Sequence, residues 1–315
     1  MRCPSSRLRV RPAMREAPDP LAIGPTERAL AMRHLPGAGA LDPAALAALG
    51  SVARARQLAP REPLQVAGRA VGLARVLVSG ALASSDGRSG GEATDVLAFL
   101  SGAPAEASWF GGPRGAVVLE ISREDLEDVI DEVPAVLVAL AAHVGSRALA
   151  LGERSERAAL SALPRALPSR PLDLVERLIA LKRCAALSGV EIDALFALAE
   201  ACRELKIAPA ASAWVAGSRA AALLVIVAGE LEVRGPHGAA RLGAGDMAGE
   251  AEVLARARWR STALASSPTL ALVLPRDRLL DLWEDHPAIG LALVRNVAGA
   301  ILAAHRAGFA PKALS

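Results

Sequence analysis

The sequence predicts a mainly β protein with flanking α-helices, built twice over in one chain. Three observations lead there: self-similarity at a long period, series of short apolar runs broken by Gly and Pro, and helical segments before and after each series. At 315 residues the chain suits two domains of ordinary size, each of about 100–150 residues.

The repeat comes first because it sets the frame. Sliding the chain by 149 residues places Glu27-Arg28 on Glu176-Arg177, Pro60 on Pro209, and the run Val76 to Leu82 on Val225 to Leu231. Further on the offset is 153, where Asp131-Glu132-Val133-Pro134-Ala135 meets Glu284-Asp285-His286-Pro287-Ala288. A period this long means two homologous domains rather than a solenoid of short repeats. The expected divisions are a disordered leader over 1–26, a degenerate domain over 27–151, a helix extension and linker over 152–171, a second domain over 172–308 and a tail over 309–315.

Within each copy the elements follow one order. A helical opening spans Pro43 to Arg54 and again Val190 to Arg203, with Leu195, Leu198 and Ala199 at the spacing of one helix face. Strand-like runs follow in the second copy: Leu205–Ala208, Ala213–Ala216, Ala222–Val227, Leu231–Arg234, Ala239–Leu242, Thr262–Ala265 and Thr269–Leu274. Many short strands between turn residues indicate a sandwich or jelly roll rather than alternating βα units. Two closing helices are expected over Pro275–Asp285 and Pro287–His305, each with Pro at its first position.

Composition narrows the function classes. The 36 basic residues nearly balance 33 acidic ones, and with aromatics at 3% and no tyrosine a nucleic-acid-coating surface with stacking side chains is not expected. Cys3, Cys184 and Cys202 show neither metal spacing nor a disulfide framework, which suits a reducing cytoplasm, with Cys184 and Cys202 as buried small hydrophobes. No apolar run is read as reaching the roughly 20 residues of a membrane helix. The five histidines are scattered, and no P-loop lysine or nucleophile turn is present, so no metal site and no enzyme activity is expected.

One stretch carries chemistry. Gly245-Asp246-Met247-Ala248-Gly249-Glu250 combines glycines that let a backbone turn expose N–H groups with a carboxylate that accepts hydroxyl protons, and Arg260-Ser261 follows ten residues after Glu250. Arg260 offers a guanidinium fork for an anion. Its plain alternative is a surface arginine among Arg256 and Arg258, and that of Gly243 to Asp246 is an ordinary β-turn. Trp259, Trp214 and Trp283 read as packing residues.

With a helix, strands, a Gly turn, a Gly-Glu pair, an Arg and closing helices in that order, the second copy resembles the cyclic-nucleotide-binding domain of bacterial catabolite activators and of regulatory subunits of cyclic-AMP-dependent kinase. The resemblance covers Leu172 to about Arg306 and, through the repeat, Glu27 to about Leu151. It implies two tandem double-stranded β-helix jelly rolls. It also implies that Glu250 holds a ribose hydroxyl, Arg260 the cyclic phosphate, and Gly249 and Ser261 the remaining oxygens, with cyclic AMP or cyclic GMP as ligand and no cofactor.

Two positions depart from the family pattern, Ala248 and Glu252; the Glu252–Arg256 i,i+4 spacing is expected to turn Glu252 outward. In the first copy Asp95 to Leu100 lacks the Gly-Glu pair and Glu106 stands beside the arginine position, so no ligand is expected there. The functional expectation is a non-catalytic sensor that signals to an unknown protein partner, without a DNA-binding domain and without a membrane. Its alternative is a scaffold of the same shape that binds no nucleotide.

Overall fold

The computed structural model describes residues 23–87, 93–151, 167–236 and 238–306. Residues 1–22 of the expected leader, most of the linker, His237 and the tail lie outside the described residues.

From Pro25 to Leu151 the elements are α1 (Pro25–Met32), α2 (Pro43–Val52), β1 (Arg54–Leu58), β2 (Pro63–Gln65), β3 (Leu73–Ser84), β4 (Ala93–Thr94), α3 (Val96–Ser101), β5 (Trp109–Ser122), α4 (Arg123–Glu132) and α5 (Ala135–Leu151). The second half runs α6 (Leu174–Arg183), α7 (Ile192–Ala201), β6 (Arg203–Ile207), β7 (Ser212–Trp214), β8 (Ala222–Ala228), β9 (Leu231–Gly235), β10 (Gly238–Leu242), β11 (Met247–Ala248), α8 (Glu250–Leu254), β12 (Thr262–Ala265), β13 (Thr269–Pro275), α9 (Arg276–Asp285) and α10 (Pro287–Arg306).

The second half is a β-sandwich with flanking helices. One sheet has the order β10-β9-β12-β7 and the other β11-β8-β13-β6, and the neighbouring strands are antiparallel. The apolar run Ala222–Ala228 is nearly all buried, because β8 sits between β11 and β13 and its side chains belong to the core that also holds Leu231 and Ala263. In the first half a single five-stranded sheet replaces the pair, since β3 and β5 run 12 and 14 residues without interruption.

Local chemistry sets the boundaries. Asp42 caps α2 through Ala45 N–H with Pro43 in the first turn, Ser122 caps α4 through Asp125 N–H, and Asp173 and Glu176 form a capping box on α6. Gly229 follows β8 at φ 85°, and a Cβ there would stand 2.3 Å from Pro268 O, so only glycine fits the turn.

Four expectations need correction. Helices take more residues than strands among the described residues, so the fold is mixed rather than mainly β. Helix α1 begins at Pro25, inside the expected leader, and Pro275 precedes α9 as its N-cap rather than opening it. Helix α10, 20 residues long at mean hydropathy 1.6, does reach membrane length and composition. Its apolar stripe Ile289, Leu293, Val294, Val297 and Ile301 is buried in this protein, where the helix packs on α3, α5 and α9, which explains the composition.

The two halves lock through their closing helices. Helix α5 packs on α8, α10 packs on α3, and α5 and α10 pack on each other. Gly145 allows the first contact: a Cβ there would lie 2.7 Å from Ala251 O and 2.8 Å from Ala255 N.

Candidate anion-binding cassette

The Gly-rich stretch folds as a turn, a two-residue strand and one helical turn. Gly243 N–H donates to the Asp246 carboxylate at 2.8 Å, and Gly245, at φ 94°, donates its N–H to Ile226 O at 2.8 Å. Met247-Ala248 pairs with Leu224 and Val225 of β8. The chain then reverses at Gly249, φ 89°, and enters α8.

Gly249 is held there by an aromatic wall. Trp259 stacks on Trp214 with ring centroids 4.4 Å apart and planes 17° from parallel, and a Cβ on Gly249 would come 2.7 Å from the Trp259 ring. Both indoles are buried, as is Trp283, in keeping with packing roles.

Glu250 opens α8 and is 8% exposed. The Asn296 side-chain amide, from α10, donates to its Oε1. Ser261 is half-buried, and its hydroxyl oxygen lies 3.4 Å from Trp214 Nε1. Arg260 is exposed, and its Nη1 donates to Leu149 O in the last turn of α5. The four residues singled out in the sequence thus lie in one cassette, with the side chains of Glu250 and Arg260 held by different helices. Glu250 is tied to the closing helix of its own half, and Arg260 to that of the other.

Glu252 is corrected outright. It is 3% exposed, on the inner side of α8, while Arg256 is exposed. The one-turn helix buries Glu250, Ala251, Glu252, Val253 and Leu254 alike because α5 and β8 cover it from two sides. Asn296 was missed in the sequence; its signal was a polar amide in the mostly apolar helix Pro287–Arg306.

The first half builds a matching turn from other residues. Asp95, at φ 50°, precedes α3 as Gly249 precedes α8, and buried Val96 follows where Glu250 stands. Glu106, in the place of Arg260, pairs with Arg306 Nε of α10 at 3.4 Å. In both halves, then, the residue at the arginine position holds the end of the opposite closing helix.

Two cysteines behave as small buried hydrophobes, and burial pushes the Cys202 thiol up to about 12 against the opposing pull of Arg177. Among the described residues no three His, Cys, Asp or Glu side chains gather as a metal site.

Residues 206–286 match the family model of the cyclic nucleotide-binding domain. The matched segment begins in β6, ends just before α10 and contains the whole cassette from Gly245 to Ser261. No curated protein matches the sequence. Solved structures with a similar course include the cyclic-AMP-bound regulatory domain of Toxoplasma gondii PKA, at 15% identity over 87% of this chain and 96% of that one, TM-score 0.34. The regulatory subunit of a cAMP-independent protein kinase A from Trypanosoma brucei aligns at 15% identity over 93% and 91%, TM-score 0.35. A cyclic nucleotide-binding domain from Methylobacillus flagellatus aligns at 22% over 43% and 80%, TM-score 0.37. These superpositions are weak.

Proposed function

We propose that the chain is a non-catalytic regulatory protein of two homologous copies, in which the second copy binds cyclic AMP or cyclic GMP at the cassette and signals to a protein partner. The observation that carries this reading is the extent of the family match, which encloses Gly249, Glu250, Arg260 and Ser261 at their expected spacing. The first copy, with Val96 and Glu106 in place of Glu250 and Arg260, contributes structure and no ligand site.

Signalling follows from where the two key side chains are held. A cyclic phosphate at the Gly249 turn draws Arg260 from Leu149 O, because a charge-assisted bond to an anion outweighs one to a carbonyl. The end of α5 is then released. A ribose hydroxyl on Glu250 competes with Asn296 and loosens α10 in the same event. Micromolar affinity corresponds to about 8 kcal/mol, enough to shift such an equilibrium if the ligand favours one arrangement.

A second reading has its own support. Glu250 and Arg260 already have protein partners, which is what a scaffold that binds no nucleotide would keep. Calorimetric titration separates the readings, and Trp259, beside Gly249, gives an intrinsic fluorescence signal for the same experiment.

A further inference from the structure

Four arginines of the second half gather at the far end of α8. Arg219 and Arg258 face each other across an isolated antiparallel bridge, and Arg256 stands two residues before Arg258. Arg276 arrives from the head of α9. Its Nε donates to Val253 O at 3.0 Å, the carbonyl that also accepts Arg256 N–H at 3.3 Å, and its own N–H donates to Ala221 O, two residues past Arg219.

None of the four is in an ion pair among the described residues. The Arg258 side chain donates to the Gly217 carbonyl at 2.7 Å. Arg219, Arg256 and Arg258 are exposed and Arg276 is half-buried. Burial, followed by the neighbouring guanidinium groups of Arg256 and Arg219, holds Arg276 below the ordinary arginine range, with Asp277 pulling the other way.

The fold does not need three of these charges. In the first half Arg123 repeats the role of Arg276, its Nη2 donating to Phe99 O at the end of α3. The other three positions differ. Ala70 and Pro104 form the bridge that Arg219 and Arg258 form in the second half, and Gly102, at φ 73°, takes the left-handed turn that Arg256 takes at φ 55°. The same backbone is therefore made with Ala, Pro and Gly. In the second half it carries mutually repelling guanidinium groups, one of them in a conformation that disfavours any side chain.

We propose that Arg219, Arg256 and Arg258 form a docking surface for an acidic segment of a protein partner. Guanidinium forks match carboxylates in pairs, and Val215, 52% exposed in the same loop as Gly217, adds an apolar contact beside them. The patch is one compact cluster rather than an extended basic stripe, and the nearby Trp214 and Trp259 are buried, so it lacks the stacking platform of a single-strand binder. This docking surface stands whether or not the cassette binds a nucleotide.

The test is fluorescence anisotropy on the full chain with a labelled short peptide of alternating Asp and Glu around a central Leu. Its Asn/Gln counterpart, a short single-stranded DNA and vesicles containing anionic lipid serve as comparisons. The acidic peptide is expected to bind, more weakly as salt is added, and its neutral counterpart not to bind. Arg219→Ala with Arg258→Ala is expected to weaken the acidic peptide roughly tenfold. Arg256→Gly is expected to weaken it while raising Tm by about 2–4 °C, which separates lost docking from lost folding. Peptide affinity unchanged in both variants overturns the proposal, as does binding of DNA or vesicles with the acidic peptide silent.

Discussion

The guanidinium of Arg260 donates to the backbone carbonyl of Leu149, 111 residues earlier in the chain, and so fastens the cassette of the second half to the last turn of the first half's closing helix. A cation at a helix C-terminus also meets the negative end of the helix dipole. The bond is single and exposed, which limits its worth. Arg260→Ala is expected to lower the unfolding free energy by about 0.5–1.5 kcal/mol in urea denaturation and to abolish nucleotide binding. A variant that binds as tightly as the parent removes Arg260 from the site.

Gly249 is constrained by both its backbone and its neighbours. At φ 89° any side chain is strained, and a Cβ would press the Trp259 ring, which is itself stacked on Trp214, and approach Ala222 O at 3.2 Å. Gly249→Ala is expected to cost about 2–4 kcal/mol, the sum of the left-handed penalty and overpacking. The change should appear as a lower urea midpoint together with altered tryptophan emission; a midpoint within experimental error of the parent's would show that the turn relaxes freely.

Much of the second half was legible in the sequence because its strands are short apolar runs bounded by Gly and Pro, and β8, β9, β12 and β13 fall within a residue or two of their expected ends. The cassette's turn was legible too, since glycines at positive φ leave a mark. The direction of its side chains was not. Leu149 and Asn296 reach the cassette through helix packing between and within halves, and no local pattern near residue 250 encodes that α5 lies over α8. Glu252 shows the cost of local reasoning: the i,i+4 spacing to Arg256 holds only on a continuing helix, and α8 ends at Leu254 with Arg256 in a left-handed turn. The joining of the first half's strands into one sheet was not legible either, because β3 and β5 run straight through the places where the second half breaks into two strands.

Asn296 satisfies a buried carboxylate oxygen, so its removal should be felt in stability. Asn296→Ala is expected to destabilise by about 1–3 kcal/mol through loss of the bond to Glu250 Oε1. Adding Glu250→Gln to it should recover part of the loss, as a neutral amide is less costly to leave there. A double-mutant cycle measures the coupling; an interaction energy of zero would dissociate the two side chains.

His143 occupies in α5 the place that Asn296 holds in α10. Burial, then the nearby Arg147, lowers its pKa in the folded protein below the ordinary 6.5. The unfolded chain therefore binds more protons in this window, and the sign follows: this residue's contribution to stability is intact above about pH 6.5 and is lost as the pH falls through 6.5 toward the lowered folded value. His143→Asn is expected to reduce the difference in unfolding free energy between pH 7.5 and pH 5.5 relative to the parent. Parallel pH profiles for the two proteins would contradict this.

Titration calorimetry of the full chain with cyclic AMP and cyclic GMP tests the central claim most directly. The expected result is saturable heat with at least one of the two, a matching rise in Tm, and neither signal for Arg260→Ala. No heat and no thermal shift with either ligand at millimolar concentration would contradict a nucleotide sensor and leave the same fold as a protein scaffold.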